Sequence, residues 1–271
     1  MTYLPAHRPP PRREPIFNMP GVVSASVLIL LAIHLIRTLV LSEEGDLGLL
    51  LDFALIPARW TLELDPTGVP DLLRDATGPE GSARAALARY LVAEADPKWW
   101  TALSYGALHG SWAHVGLNSV WLAAFGTPVA RRCGTGRFLA LLGLGTIAGG
   151  VAHAFLNPTS VSPLIGASAG ISALTAAAAR FVFAPTYGRF WNRPDLAGPG
   201  PAQSIPELLR NRSAALFLAI WFATNLLFGL LSPPLGVVDA SVAWEAHIGG
   251  FLAGFLLFPW FDPHPRVPAD A

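Results

Sequence analysis

Charge is scarce in this sequence, and the scarcity decides its class. Only 13% of the 271 residues are Asp, Glu, Lys or Arg while 52% are hydrophobic, against roughly 25% charged in an ordinary soluble domain. Cysteine is nearly missing. The single Cys133 excludes an internal disulfide and leaves no thiol pair for redox or metal chemistry. A surplus of either sign is missing too, with 18 basic residues against 18 acidic ones. Without a basic surplus, aromatic-basic interleaving or zinc-ligand spacing, nucleic acid is set aside as a partner. Lysine occurs once, as Lys98, and arginine supplies every other basic group, which together with abundant Ala, Gly and Pro fits a GC-rich bacterial genome. No internal repeat or inverted copy is visible. What remains is a polytopic, all-α membrane protein.

Residues 1–18 are rich in Pro and Arg (Arg8, Arg12, Arg13) with no apolar period, so a disordered cytoplasmic tail is expected. Arg12-Arg13 precedes an apolar run as in a twin-arginine signal, but no small-residue cleavage site follows, and a retained first helix is expected. That helix runs over 20–41, enough to cross a ~30 Å hydrocarbon core at ~1.5 Å per residue. His34 and Arg37 in its far half are expected to snorkel or to face the bundle. Residues 42–100 carry eleven acidic against five basic side chains and read as a long extracytoplasmic loop. Its apolar part, 47–60, is broken by Asp52 and Pro57 and reads as a re-entrant or surface hairpin. Further spans are expected over 102–129, 138–156, 164–183, 213–231 and 242–260. Arginines gather after the second span (Arg131, Arg132, Arg137) and the fourth (Arg180, Arg189, Arg193, Arg210, Arg212), while the turns after the third and fifth lack them. The positive-inside rule then puts both termini in the cytoplasm. The organisation is a tail (1–18), a six-helix core (19–260) and a short cytoplasmic C-terminal tail (261–271).

The polar groups of these spans gather at one depth. Ser168 lies between Gly166 and Gly170; His109, His114 and Asn118 open the second span; His247 opens the sixth. Those spans begin at the outer face, which puts His109, Ser168 and His247 roughly 6 to 10 Å inside it. Ser168 and His247 supply a hydroxyl and an imidazole able to take its proton, the pair that acyl transfer needs. Glu245, two positions away, is turned about 200° from His247 on a helix, so a Ser-His dyad without a carboxylate is expected. His114 and Asn118, four apart, share a face whose N–H donors, with the backbone N–H of Ser168, suit the negative oxygen of a tetrahedral intermediate. Gly166 with Gly170, and Gly250 with Gly254, have the GxxxG spacing that lets helices approach closely. A metal held by His109, His114 and His247 is the competing reading. Asn118 is a poor ligand and no carboxylate joins the histidines, so neither metal nor cofactor is expected. His153 has no assigned role.

The run His109-Gly-Ser-Trp-Ala-His114-Val-Gly-Leu-Asn118, then Gly166-Ala-Ser168, then Ala246-His247-Ile-Gly-Gly250-Phe-Leu-Ala-Gly254 resembles the rhomboid intramembrane serine proteases. The resemblance covers roughly residues 20 to 260, with three motifs in the family's order. It implies a six-helix rhomboid-like bundle, Ser168 as nucleophile, His247 as general base, His114 and Asn118 flanking the oxyanion site, and His109 buttressing the first loop against the second helix. Three departures stand out. Ala169 follows the serine where the family usually has glycine, with Gly170 one residue later; its methyl is expected to narrow the oxyanion site while leaving the backbone donor in place. Ser172 occupies the position of an aromatic that packs on the catalytic histidine, which leaves His247 either oriented by a Ser172 hydrogen bond instead or more loosely held. Trp99-Trp100-Thr101 stands where a Trp-Arg pair often anchors the first loop.

The expected function is an intramembrane endopeptidase of a bacterial inner membrane, cutting transmembrane substrates near their extracytoplasmic end after a small residue, with lipid as its other neighbour. Alternatives are an inactive rhomboid-like adaptor, whose members typically lose the serine or histidine, and a six-helix transporter, which would favour polar groups at mid-bilayer. Oligomeric state, natural substrate and scissile bond are not legible.

Overall fold

The computed structural model describes residues 19–75, 81–94, 96–184, 200–235 and 243–264. The expected N-terminal tail, 1–18, and residues 265–271 of the expected C-terminal tail lie outside the described residues. The described residues form an all-helical fold, with one isolated β-bridge between Leu55 and Leu164.

Helix α1 (Gly21–Leu39) begins after Pro20, which cannot extend a helix backwards. It is apolar along its length, and His34 and Arg37 face the bundle rather than snorkelling, at 1% and 7% exposure. The acidic stretch that follows is helical. Ser42 caps α2 (Glu43–Phe53) by accepting from the Gly45 N–H at 3.2 Å, and Glu43, Glu44 and Asp46 sit in its first turn, where the helix dipole favours negative charge. Pro57 opens α3 (Pro57–Leu64), and α4 (Val69–Asp75) and α5 (Gly81–Glu94) follow. Ile56, Ala58, Leu62, Leu72, Ala88 and Leu91 of this segment bury a small core of their own against Val161.

The anchoring of this segment differs from a single Trp-Arg clasp. Leu55 and Leu164 exchange backbone hydrogen bonds at 3.2 and 2.8 Å, the Ala58 N–H donates to the Ser160 carbonyl at 3.0 Å, and the Thr61 hydroxyl donates to the Pro158 carbonyl at 2.7 Å. On the other side, Trp100 Nε1–H donates to the Asp52 carbonyl, Ser104 Oγ to the Phe53 carbonyl, and Lys98 pairs with Asp52. The expected hairpin at 47–60 is thus the end of α2, the bridge residue and the start of α3, buried from Ala54 to Trp60.

A short helix α6 (Thr101–Ser104) and a 3-10 turn lead into α7 (Trp112–Trp121), so the helix of the second span begins later than residue 102. Leu108 and Ser111 are extended, and the Ser111 hydroxyl caps α7 by accepting from the His114 N–H at 3.1 Å. A π-turn (Leu122–Gly126) joins α7 to α8 (Thr127–Leu156), which is two helices meeting at a kink at Gly134 (φ 78°). Helix α9 (Ser168–Val182) begins at Ser168 rather than 164 because Leu164 is held in the bridge and Gly166 has φ +127°. A Ser204/Glu207 capping box starts α10 (Ile205–Arg210), followed by α11 (Arg212–Leu235) and α12 (Trp244–Phe261).

Gly21–Leu39 and Trp112–Leu156 are long and apolar enough to cross a membrane, with mean hydropathies of 2.2 and 1.8, and Ser168–Val182 and Arg212–Leu227 are shorter apolar helices. Helices α8, α9 and α12 make the most extensive contacts with one another, and α8 and α12 enclose α9, which is buried from Ala169 to Phe181. Small residues permit this closeness. A Cβ on Gly145 would stand 2.2 Å from that of Ala173, and one on Gly254 would stand 2.1 Å from the Ala173 carbonyl oxygen. Two helices of the length and apolar composition of Gly21–Leu39 and Trp112–Leu156 support a membrane-associated protein.

Candidate active site

Ser168 is the first residue of α9, so its backbone N–H lies outside the helix's own hydrogen-bond ladder and points forward of the helix start. The approach to it is fixed on three sides. Leu164 pairs with Leu55, the Gly166 N–H donates to the Tyr105 carbonyl at 3.0 Å, and the Ala167 N–H donates to His109 Nε2 at 3.4 Å. Tyr105 is itself tied down by donating its hydroxyl to the Thr146 carbonyl at 2.7 Å.

His247 enters from the first turn of α12, and its Nε2 lies 2.7 Å from Ser168 Oγ. Both residues are half-buried. The approach of α12 to α9 is set by Gly250, where a Cβ would stand 2.0 Å from the Ala169 carbonyl oxygen. Gly170 faces the other neighbour, where a Cβ would stand 2.6 Å from the Leu142 carbonyl oxygen of α8.

His114 lies over Gly166. A Cβ there would stand 2.9 Å from the imidazole Cε1 and Nε2 and 3.8 Å from Ser168 Oγ, so Gly166 lies between this ring and the serine hydroxyl. The Gly110 N–H donates to His114 Nδ1 at 3.4 Å. That makes Nδ1 the acceptor and leaves Nε2 carrying the proton, on the edge of the ring nearest Gly166. Asn118 is buried and donates one amide N–H to the His114 carbonyl at 3.1 Å, leaving the second N–H for another acceptor. His109 precedes α7 instead of lying within it. Its ring meets that of His114 edge-on at 4.9 Å, and its carbonyl accepts from Arg37, which also grips Asp46 of α2.

Two expectations are overturned here. Ser172 does not reach His247: its hydroxyl donates to the Ser168 carbonyl at 2.7 Å, the nearest acceptor one turn back on its own helix. The Ala169 methyl does not narrow the space before Ser168 either. It points at α8, where a Cβ on Gly149 would stand 2.4 Å from it, and joins the core of Leu55, Tyr105, Ala154 and Ala246. Glu245 faces α8 as well, with Oε2 at 3.7 Å from His153 Nδ1 and Oε1 at 3.5 Å from Asn157 Nδ2. His153 is therefore the neighbour of that carboxylate.

One neighbour of the histidine was not foreseen. Asn225 of α11 presents Oδ1 2.6 Å from His247 Nδ1. Its sequence signal was an amide within a largely apolar helix, where a polar side chain is expensive unless partnered. Among the described residues, no group of three or more His, Cys, Asp or Glu is arranged to hold a metal ion.

The rhomboid protease GlpG of Pectobacterium atrosepticum is 25% identical over 161 residues, an alignment covering 59% of this chain and 48% of that protein. The chain thus matches about half the length of that curated relative. A family model described as the rhomboid domain matches residues 96–261, well over half of the chain and all of the helices that carry the site, and the chain belongs to the rhomboid family.

Proposed function

We propose that this protein is an intramembrane serine endopeptidase that cuts transmembrane segments near their extracytoplasmic ends through a Ser168–His247 dyad. The observation that carries the reading is the 2.7 Å approach of His247 Nε2 to Ser168 Oγ, made by residues from the starts of two different helices. A lone hydroxyl in an apolar helix ordinarily bonds back to its own backbone, as Ser172 does, whereas Ser168 instead meets an imidazole.

In this reading His247 takes the Ser168 proton as the oxygen attacks the scissile carbonyl, and returns it to the leaving amine; water then releases the acyl-enzyme by the same route. The oxyanion would lie near the backbone N–H of Ser168, with His114 Nε2–H and the remaining Asn118 amide N–H as side-chain donors, each worth roughly 3 to 4 kcal/mol in the transition state. His109 holds the segment before Ser168 through the Ala167 N–H. Helix 21–39, the two arms on either side of Gly134, α9, α11 and α12 would form six membrane crossings, with both termini cytoplasmic in a bacterial inner membrane and residues 42–100 outside. Gly170, Gly250 and Gly254 serve as packing positions for those helices, whereas Gly166 lies ahead of α9 with φ +127° and meets the His114 ring instead of a neighbouring helix. A substrate helix must unwind at its outer end before its carbonyl can be attacked, so segments with helix-breaking residues there are the expected substrates.

The test is cleavage of a transmembrane reporter by purified protein in detergent, beside Ser168→Ala and His247→Ala and with and without a chelator. Cleavage lost in both variants and unaffected by the chelator is expected. Equal cleavage by wild type and Ser168→Ala would overturn the reading, and a folded but inactive wild type that binds membrane proteins would favour an adaptor.

A further inference from the structure

The amide of Asn225 makes two contacts at once. Nδ2 donates to the Trp221 carbonyl one turn back at 2.8 Å, while Oδ1 lies 2.6 Å from His247 Nδ1. A backbone carbonyl only accepts, so the amide atom facing it must be nitrogen and the atom facing the imidazole must be oxygen. An oxygen facing Nδ1 requires Nδ1 to carry the ring proton. Nε2 is then the lone-pair nitrogen, and it is the one beside Ser168 Oγ. The chain of bonds from Trp221 to Ser168 therefore has one consistent set of proton positions, and in it the imidazole is ready to accept the serine proton.

The register between α11 and α12 holds this contact in place. Trp221, Asn225 and Gly229 recur every four residues and form one stripe of α11. Trp221 stacks on Phe251 with ring centroids 4.4 Å apart, and Gly229 abuts Trp244, whose Cδ1 would stand 2.5 Å from an added Cβ. Going up α11 through 221, 225 and 229 thus runs down α12 through 251, 247 and 244. Asn225 lies between a stacked aromatic pair and a close helix contact, so its reach to His247 is built into an antiparallel interface.

We propose that Asn225 is a positioning residue for the reaction, the third member of a Ser168–His247–Asn225 chain in which the amide oxygen fixes the tautomer and ring orientation of His247. The proposal rests on the protease reading of the same site. It supplies the orienting group that neither Glu245 nor Ser172 provides, and it does so from α11, an element that contributes no reacting atom. A neutral amide orients the ring without placing a charge in the apolar bundle, which is the cheaper choice at this depth. As His247 becomes cationic in the transition state, the same oxygen accepts a charge-assisted hydrogen bond, stronger than the ground-state one.

The experiment compares wild type, Asn225→Ala and Asn225→Asp in two readouts. Steady-state cleavage of a transmembrane reporter should show kcat lowered about tenfold or more in Asn225→Ala, with KM and the unfolding temperature close to wild type. Asn225→Asp, which keeps an acceptor oxygen, should recover most of that loss. The ¹⁵N spectrum of histidine-labelled protein, with His247 assigned by its loss in His247→Ala, should show a protonated Nδ1 in wild type and Asn225→Asp and a mixture of tautomers in Asn225→Ala. Wild-type kcat in Asn225→Ala, or an unchanged His247 tautomer, would overturn the proposal. The spectrum needs no turnover. If wild type cleaves no reporter, the protease reading fails while the tautomer comparison still decides what Asn225 does.

Discussion

Gly250 of α12 sits so close to Ala169 of α9 that a methyl group on it would stand 2.0 Å from the Ala169 carbonyl oxygen. That carbonyl follows Ser168 by one residue, and His247 precedes Gly250 by one helical turn. The contact therefore sets the distance between the two helix starts that carry the serine and the imidazole. Gly250→Ala must push α12 away from α9, at about 1 to 3 kcal/mol of stability, and should lengthen the 2.7 Å Ser168–His247 contact. Cleavage of a reporter should fall by far more than the folded fraction does. Thermal unfolding and initial rates on the same preparation separate the two effects.

Gly166 meets two demands at once. Its φ of +127° is one that side-chain-bearing residues rarely adopt, and an added Cβ would stand 2.9 Å from the His114 ring. Gly166→Ala should cost roughly 1 to 2 kcal/mol from the backbone and displace His114 from the edge of Ser168. If the catalytic loss runs through that ring, Gly166→Ala and His114→Ala will not add: the double variant should have about the kcat of His114→Ala alone. Fully additive losses would mean that Gly166 acts through the serine instead.

Much of this was legible because hydropathy and small-residue spacing are local properties. The apolar runs located the long apolar helices but not α2 to α5 of the acidic segment, and Gly166-Ala-Ser168 with Ala246-His247 identified the pair that the structure brings to 2.7 Å. Helix starts were misread because hydropathy does not register backbone shape: Leu164 is as apolar as a helix residue but lies in the bridge to Leu55, and Leu108 and Ser111 are extended residues ahead of α7, which Ser111 caps. Ser172 was given to His247 because a position was matched rather than an acceptor, and the nearest acceptor for a helical hydroxyl is its own helix. Asn225 went unseen for the opposite reason. Its partner is set by the antiparallel register of α11 on α12, a long-range relation with no pattern inside α11 itself.

Arg37 joins three parts of the chain. Its guanidinium grips the Asp46 carboxylate of α2 at 2.7 and 3.1 Å and donates to the His109 carbonyl at 2.8 Å. The Arg37 side chain is 6% exposed and Asp46 is 30% exposed, so the two ends of the pair should respond differently. Asp46→Asn should cost at most about 1 kcal/mol, as for a partly solvated pair. Arg37→Ala leaves a buried carbonyl without its donor and should cost about 2 to 3 kcal/mol. Arg37→Lys should not restore the loss, because a single ammonium cannot serve a carboxylate and a separate carbonyl with the geometry of a planar fork. Faster proteolysis within 42–100 in Arg37→Ala, measured beside its unfolding temperature, would locate the damage in the outer segment.

At the opposite ends of the helices, Arg132 and Asp262 form a two-pronged ion pair at 2.9 and 2.8 Å across 130 residues of sequence, with side chains 2% and 5% exposed. The guanidinium also donates to the Gly200 carbonyl at 2.9 Å and lies 4.7 Å over the Phe181 ring. Burying two charges is costly, and what makes it tolerable is their mutual satisfaction. Asp262→Ala leaves the cation buried with its carboxylate gone and should destabilise by about 3 to 5 kcal/mol. Replacing both, as Arg132→Met with Asp262→Leu, should recover most of that, since an apolar pair of similar volume has no charge to desolvate. Phe181 lies thirteen residues along α9 from Ser168, about 20 Å at helical rise, so neither change should alter kcat measured well below the unfolding temperature. A double variant less stable than Asp262→Ala would show that the pair contributes through its specific geometry instead of merely compensating its own burial.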